Sequence, residues 1–159
     1  MSKNLGERLP YKIQEAFNGR DLGEKLGLAY LVITSDPDGT PHPAMLSMGE
    51  ILALDDRRLR LALWQGTRTG ANLERGSPFV LCFVGEEDAV FYVKGSPKAL
   101  PTEGRARGFQ CFECQVDSVE SDAHKGLPVT HGLRFHCPDD ERPRVLDLWE
   151  RTMQALRQA

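Results

Sequence analysis

Short apolar segments joined by tight turns occupy the first two thirds of this chain, and this pattern limits the possible folds more than any other feature. Residues 27–34 combine β-branched and aromatic side chains and predict a strand. A second strand is predicted from about residue 42 to 54. The turn between them, residues 35–39, reads SDPDG, in which proline presets φ and glycine accepts a positive φ. Residues 55–57 turn the chain once more, into a third strand over residues 59–64.

The rest of the chain continues the same pattern and then ends in a helix. Further strands are predicted over residues 79–84, 89–94 (closed by glycine, serine and proline at 95–97), 109–119 and 133–137, with loops over 104–108 and 122–132. The run at 79–84 is apolar throughout, which predicts a strand buried on both faces. A short helix is predicted over 10–17, and a second one, with an apolar stripe, over about 143–157. Few helices interrupt the strands, so the chain is predicted to be mainly β.

The expected architecture is a single domain: a six- or seven-stranded antiparallel split β-barrel with its core over about 28–119 and a C-terminal helix. A length of 159 residues suits one such domain. The net charge of −3 argues against nonspecific nucleic-acid binding, which depends on Lys and Arg. No apolar run reaches membrane-spanning length, and the first residues lack the apolar core of a signal peptide. We therefore expect a cytoplasmic protein whose four cysteines are thiols or ligands.

A polar loop with one arginine between two threonines follows the third strand. Thr67, Arg68 and Thr69 precede a short helical pattern over 71–75 that stops at Gly76. Free N–H groups and the dipole at a helix start favour an anion, and Arg and Thr side chains add hydrogen bonds. The loop therefore suits a phosphate. An ordinary capped turn would explain the same residues, since threonine is a good N-cap.

Several of these segments together resemble the pyridoxamine 5′-phosphate oxidase-like split β-barrel family of flavin-binding proteins. The matching segments are DGTPHPAMLS at 38–47, LRLALW at 59–64, Thr67-Arg68-Thr69 with Asn72-Leu73, SP at 77–78, FVLCFV at 79–84 and Val93-Lys94-Gly95. The resemblance implies a homodimer with FMN at the subunit interface, and it implies three groups of cofactor-binding residues. Ala44, Met45, Leu46 and Ser47 would lie along the isoalloxazine ring; Ala62, Leu63 and Trp64 would border the ring or the ribityl chain; Thr67, Arg68, Thr69 and Asn72 would hold the phosphate.

The chain also departs from the oxidase itself. Ala44 stands where the oxidase has an arginine, Thr69 where it has a lysine, and Gly49 near its substrate-side lysine. Oxidation of pyridoxamine phosphate is therefore disfavoured. The leading hypothesis is a small FMN-dependent oxidoreductase acting on a small molecule, with no assigned catalytic residue. The alternatives are F420 as cofactor, a non-catalytic flavin carrier or sensor, and a barrel without cofactor that only dimerises.

A second possible site is the pair Cys111 and Cys114, which could bind zinc together with Cys137 and a histidine. In a strand, residues three apart point to opposite faces, so we expect one thiol inside, one outside, and no metal. Trp64 could stack on a flavin, but we expect core packing, which is more common for tryptophan. His42 and Lys94 lie close to the predicted site and are expected to be ordinary surface and rim residues.

Overall fold

The computed structural model describes residues 2–86, 88–101 and 108–159, which form one curled sheet and three α-helices. The elements in chain order are β1 (Ser2–Gly6), α1 (Tyr11–Ala16), β2 (Leu28–Ser35), β3 (Pro41–Ser47), a 3₁₀ helix (Met48–Glu50), β4 (Ile51–Ala53), β5 (Arg58–Trp64), α2 (Arg68–Glu74), β6 (Phe79–Val84), β7 (Val90–Ala99), β8 (Phe109–Asp122), β9 (Leu133–Arg134) and α3 (Arg142–Gln158). None of the described helices is both long and apolar enough to cross a membrane.

Seven strands form a continuous antiparallel path in the order β3-β2-β6-β7-β8-β5-β4, with β1 added to β8 and β9 added to β2. The two edge strands of this path, β3 and β4, are consecutive in the chain and are joined only by the 3₁₀ helix. So short a connection requires the two edges to lie near each other, and the sheet therefore curls into a split barrel. The predicted fold class and C-terminal helix are confirmed.

The core lies on the concave face of the sheet and is closed by helices. Phe17, directly after α1, has its ring centroid 5.1 Å from those of both Tyr30 and Phe83. Helix α3 packs across the 3₁₀ helix, β4 and β5. Arg60 on β5 donates a hydrogen bond to the carbonyl oxygen of Leu156 at 2.6 Å and forms an ion pair with Glu113, which ties the last turn of α3 to the sheet.

The second predicted strand, 42–54, is two strands separated by the 3₁₀ helix. Glu50 accepts hydrogen bonds from the backbone N–H and the hydroxyl of Ser47, which caps this short helix. Gly49 is required here because a Cβ at this position would lie 2.2 Å from the Trp149 indole. The break carries the chain from one edge of the barrel to the other, which a continuous strand could not do.

Other boundaries also differ from the prediction. Strand β7 does not end at 95–97 but continues to Ala99, because Gly95 accommodates a bulge and Pro97 lies beyond the last residue that pairs with β6. The last strand is only Leu133–Arg134, and β1 was not predicted. Helix α2 begins at Arg68, three residues earlier than expected. Of the predicted loop at 104–108, only Gly108 lies within the described residues.

Strand β6 is buried on one face only, contrary to the prediction. Phe79, Leu81 and Phe83 point into the core, whereas the alternate residues are half-buried on the outer face. A row of mainly apolar outer residues crosses four strands in register: Met45, Leu31, Cys82 and Tyr92. We call these four residues the outer row. Most of the row is half-buried, but Met45 is 60% exposed.

Candidate functional site

The predicted phosphate loop lies where β5 gives way to α2. The Thr67 hydroxyl oxygen accepts a hydrogen bond from the Gly70 N–H at 3.2 Å, so Thr67 is the N-cap of α2. Arg68 begins the helix with its side chain 67% exposed, and one guanidinium nitrogen lies 3.5 Å from a carboxylate oxygen of Asp36. The capped turn and the exposed cation are therefore present in the same loop.

Thr69 provides a hydroxyl without a partner at this position. The residue is only 3% exposed, and its hydroxyl makes no hydrogen bond to the described part of the chain. No buried side-chain oxygen or nitrogen among these residues is both sealed and unpaired, so the Thr69 oxygen must reach open space. An almost buried hydroxyl that is left to an external partner is suited to bind a ligand oxygen.

Asn72 has a different environment from the three residues before it. Its amide nitrogen donates to Thr34 Oγ1 and Asp36 Oδ1, both at 3.0 Å, and its amide oxygen accepts from Arg75. Both amide hydrogens are therefore engaged in a residue that is 1% exposed. Asn72 holds α2 against the start of the β2–β3 hairpin, and through Asp36 it fixes the carboxylate that faces Arg68.

Two segments predicted to border the flavin ring meet in space although they are distant in sequence. Ser47 at the end of β3 and Trp64 at the end of β5 line one cavity of about 100 Å³, together with Glu50, Phe109 and Trp149. Trp64 is 49% exposed and packs on Phe109 with ring centroids 4.1 Å apart. The expectation that Trp64 belongs to the core is wrong, because β5 ends there at the rim of the barrel.

The other residues predicted to border the ring differ in orientation and in exposure. Ala44 and Leu46 lie opposite Val32 and Tyr30 and so share the concave face with them, whereas Met45 points outward. Ala62 and Leu63 are 0% and 3% exposed as whole residues. Their backbone is therefore covered as well as their side chains, and their contact with a ring or ribityl chain stays a prediction.

The sequence analysis missed Glu50, the ionisable group of this cavity. Burial raises the pKa of its carboxyl above the ordinary 4.5, although the two hydrogen bonds from Ser47 act in the opposite direction. Serine followed three residues later by glutamate is a capping-box sequence and could have indicated this short helix. It would not have shown that the carboxyl faces the same cavity as Trp64.

Trp149 covers the region where the resemblance places a substrate-side lysine in the oxidase. The indole lies directly over the α-carbon of Gly49, so no side chain fits there without moving α3. Trp149 is 5% exposed and packs edge-on against Phe135, with ring centroids 6.3 Å apart. The helix therefore fills this position with an apolar ring.

Cys111 and Cys114 point to opposite faces of β8, but neither thiol is exposed. Cys111 and Cys114 are 1% and 0% exposed, so the expectation of one outer thiol is wrong. Cys111 lies opposite Ala62, on the same sheet face as Arg60, which binds the end of α3; this face is covered rather than exposed to solvent. Burial strongly raises the pKa of Cys114. No group of three His, Cys, Asp or Glu side chains suited to a metal occurs within the described residues.

His42 and Lys94 lie away from the cavity that joins Ser47 and Trp64. His42 is half-buried on the edge strand β3, where its carbonyl oxygen accepts a 3.5 Å hydrogen bond from Thr34. Lys94 forms an ion pair with Glu120 on the neighbouring strand β8 at 2.5 Å. Lys94 thus points outward from the middle of β7, rather than from the rim where it was expected.

Comparison with known proteins gives a relative that is similar over most of its length and several solved structures with a similar fold. No family model matches the chain. The uncharacterized protein YclD of Bacillus subtilis is 35% identical over 151 residues, which cover 92% of this chain and 94% of YclD. The aligned region therefore takes in nearly the whole length of both chains.

Among solved structures, the similarity is one of fold. A protein of Lactobacillus delbrueckii named for pyridoxamine 5′-phosphate oxidase superposes with a TM-score of 0.57 at 19% identity, over 74% of this chain and 98% of that one. HupZ of Group A Streptococcus gives 0.55 at 14% identity, over 72% and 99%. A Clostridium acetobutylicum protein of the pyridoxinephosphate oxidase family, related to general stress protein 26, gives 0.50 at 17%, over 77% and 92%.

Proposed function

Because the chain belongs to the family of Bacillus subtilis YclD and has the split-barrel fold of pyridoxamine 5′-phosphate oxidase-like proteins, we propose that it binds FMN and acts as a flavin-dependent oxidoreductase. The observation that carries the proposal is the cavity in which Ser47 and Trp64 meet. Trp64 offers a half-exposed aromatic face at the end of β5, and such a face suits stacking on a planar ring. Ala44, Met45 and Leu46 lead along β3 to the same cavity.

The phosphate end of the cofactor would lie at the start of α2. Arg68 supplies an exposed guanidinium, and the hydroxyls of Thr67 and Thr69 supply donors beside it. The unpartnered hydroxyl of Thr69 is the feature of this loop that an ordinary capped turn does not explain. Asn72 would act indirectly, because its amide hydrogens already hold Thr34 and Asp36. Ala62 and Leu63 are buried in this chain and would also act indirectly.

The outer row supports a homodimer as part of the same proposal. Met45, Leu31, Cys82 and Tyr92 form a contiguous strip on the convex face of the sheet. An apolar strip of this kind on a soluble domain is typical of an interface. It begins on β3, the strand that leads to the predicted ring position, so a partner on the outer row would lie beside the cofactor. The four cysteines form no disulfide within the described residues, which supports a reducing, cytoplasmic location.

An oxidoreductase agrees with the residues around the cavity better than a hydrolase or a transferase does. Bound FMN supplies hydride or electron transfer, for which no protein nucleophile is needed. The residues of this chain would orient the ring and exclude water, and Glu50 would place a carboxyl group at the cavity wall. Ala44, Thr69 and the Trp149-covered Gly49 argue against pyridoxamine phosphate as the substrate. The fold alone also admits F420 or a non-catalytic carrier.

The decisive experiment is to identify the molecule that copurifies with the protein, by its absorbance spectrum and mass. FMN at about one per chain would support the proposal, whereas F420 or no bound cofactor after incubation with FMN would overturn it. Anaerobic mixing with NADH or NADPH, with and without an added electron acceptor, then tests catalysis. Reduction and repeated turnover with an acceptor are expected; a flavin that is never reduced would indicate a carrier or sensor.

A further inference from the structure

A second and much larger cavity lies at the end of the barrel that α1 covers. Its volume is about 680 Å³, within the range of sites for small organic ligands. The walls are mainly apolar and come from both sides: Ile13 from α1, Met48 from the 3₁₀ helix, and Phe83 and Phe91 from β6 and β7. It shares no lining residue with the cavity of Ser47 and Trp64. Nothing in the proposed flavin site uses this space.

One polar side chain in the cavity wall has no partner in the protein. Tyr30 is 7% exposed, and its hydroxyl makes no hydrogen bond to any described residue. Since no unpaired side-chain oxygen of these residues is sealed from solvent, the Tyr30 hydroxyl must face open space, and the open space beside Tyr30 is this cavity. Burial raises the pKa of Tyr30, so its hydroxyl remains protonated and can donate.

Charged side chains also line the cavity. Lys12, Lys25 and Arg134 line it, against Glu86 as the acidic group. Lys25 is engaged with the Asn18 side chain and the Glu15 carbonyl. Arg134, on β9 opposite Leu28, is exposed and its guanidinium has no partner in the described chain. The cavity thus combines an apolar interior, one inner hydrogen-bond donor and an available cation at its entrance.

We propose that this cavity binds a small apolar carboxylic acid, with its carboxylate at Arg134 and a carbonyl or hydroxyl oxygen of its apolar part at the Tyr30 hydroxyl. The two polar groups that such a ligand would contact, the Tyr30 hydroxyl and the Arg134 guanidinium, have no partner within the described residues. The apolar body would displace water from the aromatic wall, which favours binding. The inner oxygen would accept a hydrogen bond from the Tyr30 hydroxyl, which has no other acceptor in the described chain. The carboxylate would form a charge-assisted hydrogen bond with Arg134.

Isothermal titration with three matched probes tests the proposal on the purified full chain. The probes are 9-oxofluorene-2-carboxylate, fluorene-2-carboxylate, which lacks the inner carbonyl, and 9-fluorenone, which lacks the carboxylate. The keto acid is expected to bind about one per chain and about fivefold or more tighter than either analogue, the range of one net hydrogen bond. In the Tyr30→Phe variant, the keto acid should bind no more tightly than fluorene-2-carboxylate. In the Arg134→Gln variant, it should bind no more tightly than 9-fluorenone.

Matched variants separate this site from the flavin site and from unfolding. Arg144→Gln and Arg151→Gln, both at exposed residues of α3, should leave all three affinities unchanged. Tyr30→Phe should retain wild-type stability, because no hydrogen bond is lost, and should retain the affinity for FMN. Equal binding of all three probes, equal effects of the control variants, or displacement of the keto acid by FMN would each overturn the proposal. These outcomes are independent of whether the protein proves to be a flavoprotein.

Discussion

Arg68 is the residue on which the phosphate assignment most depends. Its guanidinium is exposed and faces Asp36, so a phosphate could take the place of that carboxylate. Arg68→Ala should weaken FMN binding by about 1.5–3 kcal/mol, the range for hydrogen bonds to charged groups. Flavin-fluorescence titration of the apo protein measures the effect. Arg151→Ala removes a similarly exposed arginine from α3 and should change nothing. An unchanged dissociation constant in a folded Arg68→Ala protein would contradict the assignment.

Glu50 should make stability depend on pH in an unusual direction. Because burial raises its pKa above 4.5, the folded protein binds more protons than the unfolded chain just above that pH. The free energy of unfolding therefore falls as pH rises through this window and stays lower beyond it. Glu50→Gln keeps an acceptor for Ser47 without titrating, so variant minus wild-type stability should rise from about pH 4.5 towards neutrality.

Urea unfolding at a series of pH values measures this difference, with Glu120→Gln for comparison. Hydrogen bonds from Lys94 and Ser2 lower the pKa of Glu120, so its contribution to stability is present above the unfolded pKa and is lost as the pH falls. The difference for Glu120→Gln should therefore decrease as pH rises, opposite to Glu50→Gln. Parallel profiles for the two variants would show that burial does not govern Glu50.

At the scale of elements, the contact between the 3₁₀ helix and α3 holds the barrel edges together. Gly49→Ala would force a methyl group into the Trp149 ring and should cost about 1–3 kcal/mol of stability, the usual cost of overpacking. In a Trp149→Leu background the same change should cost less than about 0.5 kcal/mol, because the clash is gone. A double-mutant cycle by urea unfolding measures the coupling. Additive costs would show that the two elements do not constrain each other.

Elements set by local sequence were predictable, and those set by distant contacts were not. The turn at 35–39 and the N-cap Thr67 act on their own neighbours, so the β2–β3 hairpin and a helix after β5 could be inferred. The local capping box at Ser47 and Glu50 could indicate the short helix at 48–50, but not that Trp149, about a hundred residues later, packs on Gly49. Likewise β1 is mostly exposed and exists because it pairs with β8 at the far end of the chain.

The candidate site shows the same limit. Thr67, Arg68 and Thr69 are adjacent, and their role could be argued from spacing. The meeting of Ser47 with Trp64, the buried carboxyl of Glu50 and the unpartnered hydroxyl of Tyr30 all depend on how the sheet curls. Periodicity indicates which face of a strand is apolar, but it does not indicate which strand ends share a cavity.

At the scale of the whole molecule, the outer row predicts self-association. Light scattering should give twice the chain mass of 17.8 kDa. Met45→Glu places a charge in the outer row at a residue that is 60% exposed, so it should dissociate the dimer without unfolding the monomer. Leu127→Glu, at a 65% exposed residue away from the row, should leave the mass unchanged. A monomeric wild type, or a Met45→Glu protein that remains dimeric, would contradict this interface.

The two prolines of β3 bear on aggregation. Strand β3 is an edge of the sheet path, and an edge strand with free N–H groups can recruit strands from other molecules. Pro41 and Pro43 lie opposite Ser35 and Ile33 on β2. Because the two prolines are two positions apart in the strand, their backbone nitrogens point to the same side of it. Since proline is tolerated at an edge where its nitrogen faces away from the partner strand, both remove donors from the open side. The open edge of the barrel is thereby a poor template for fibrillar assembly.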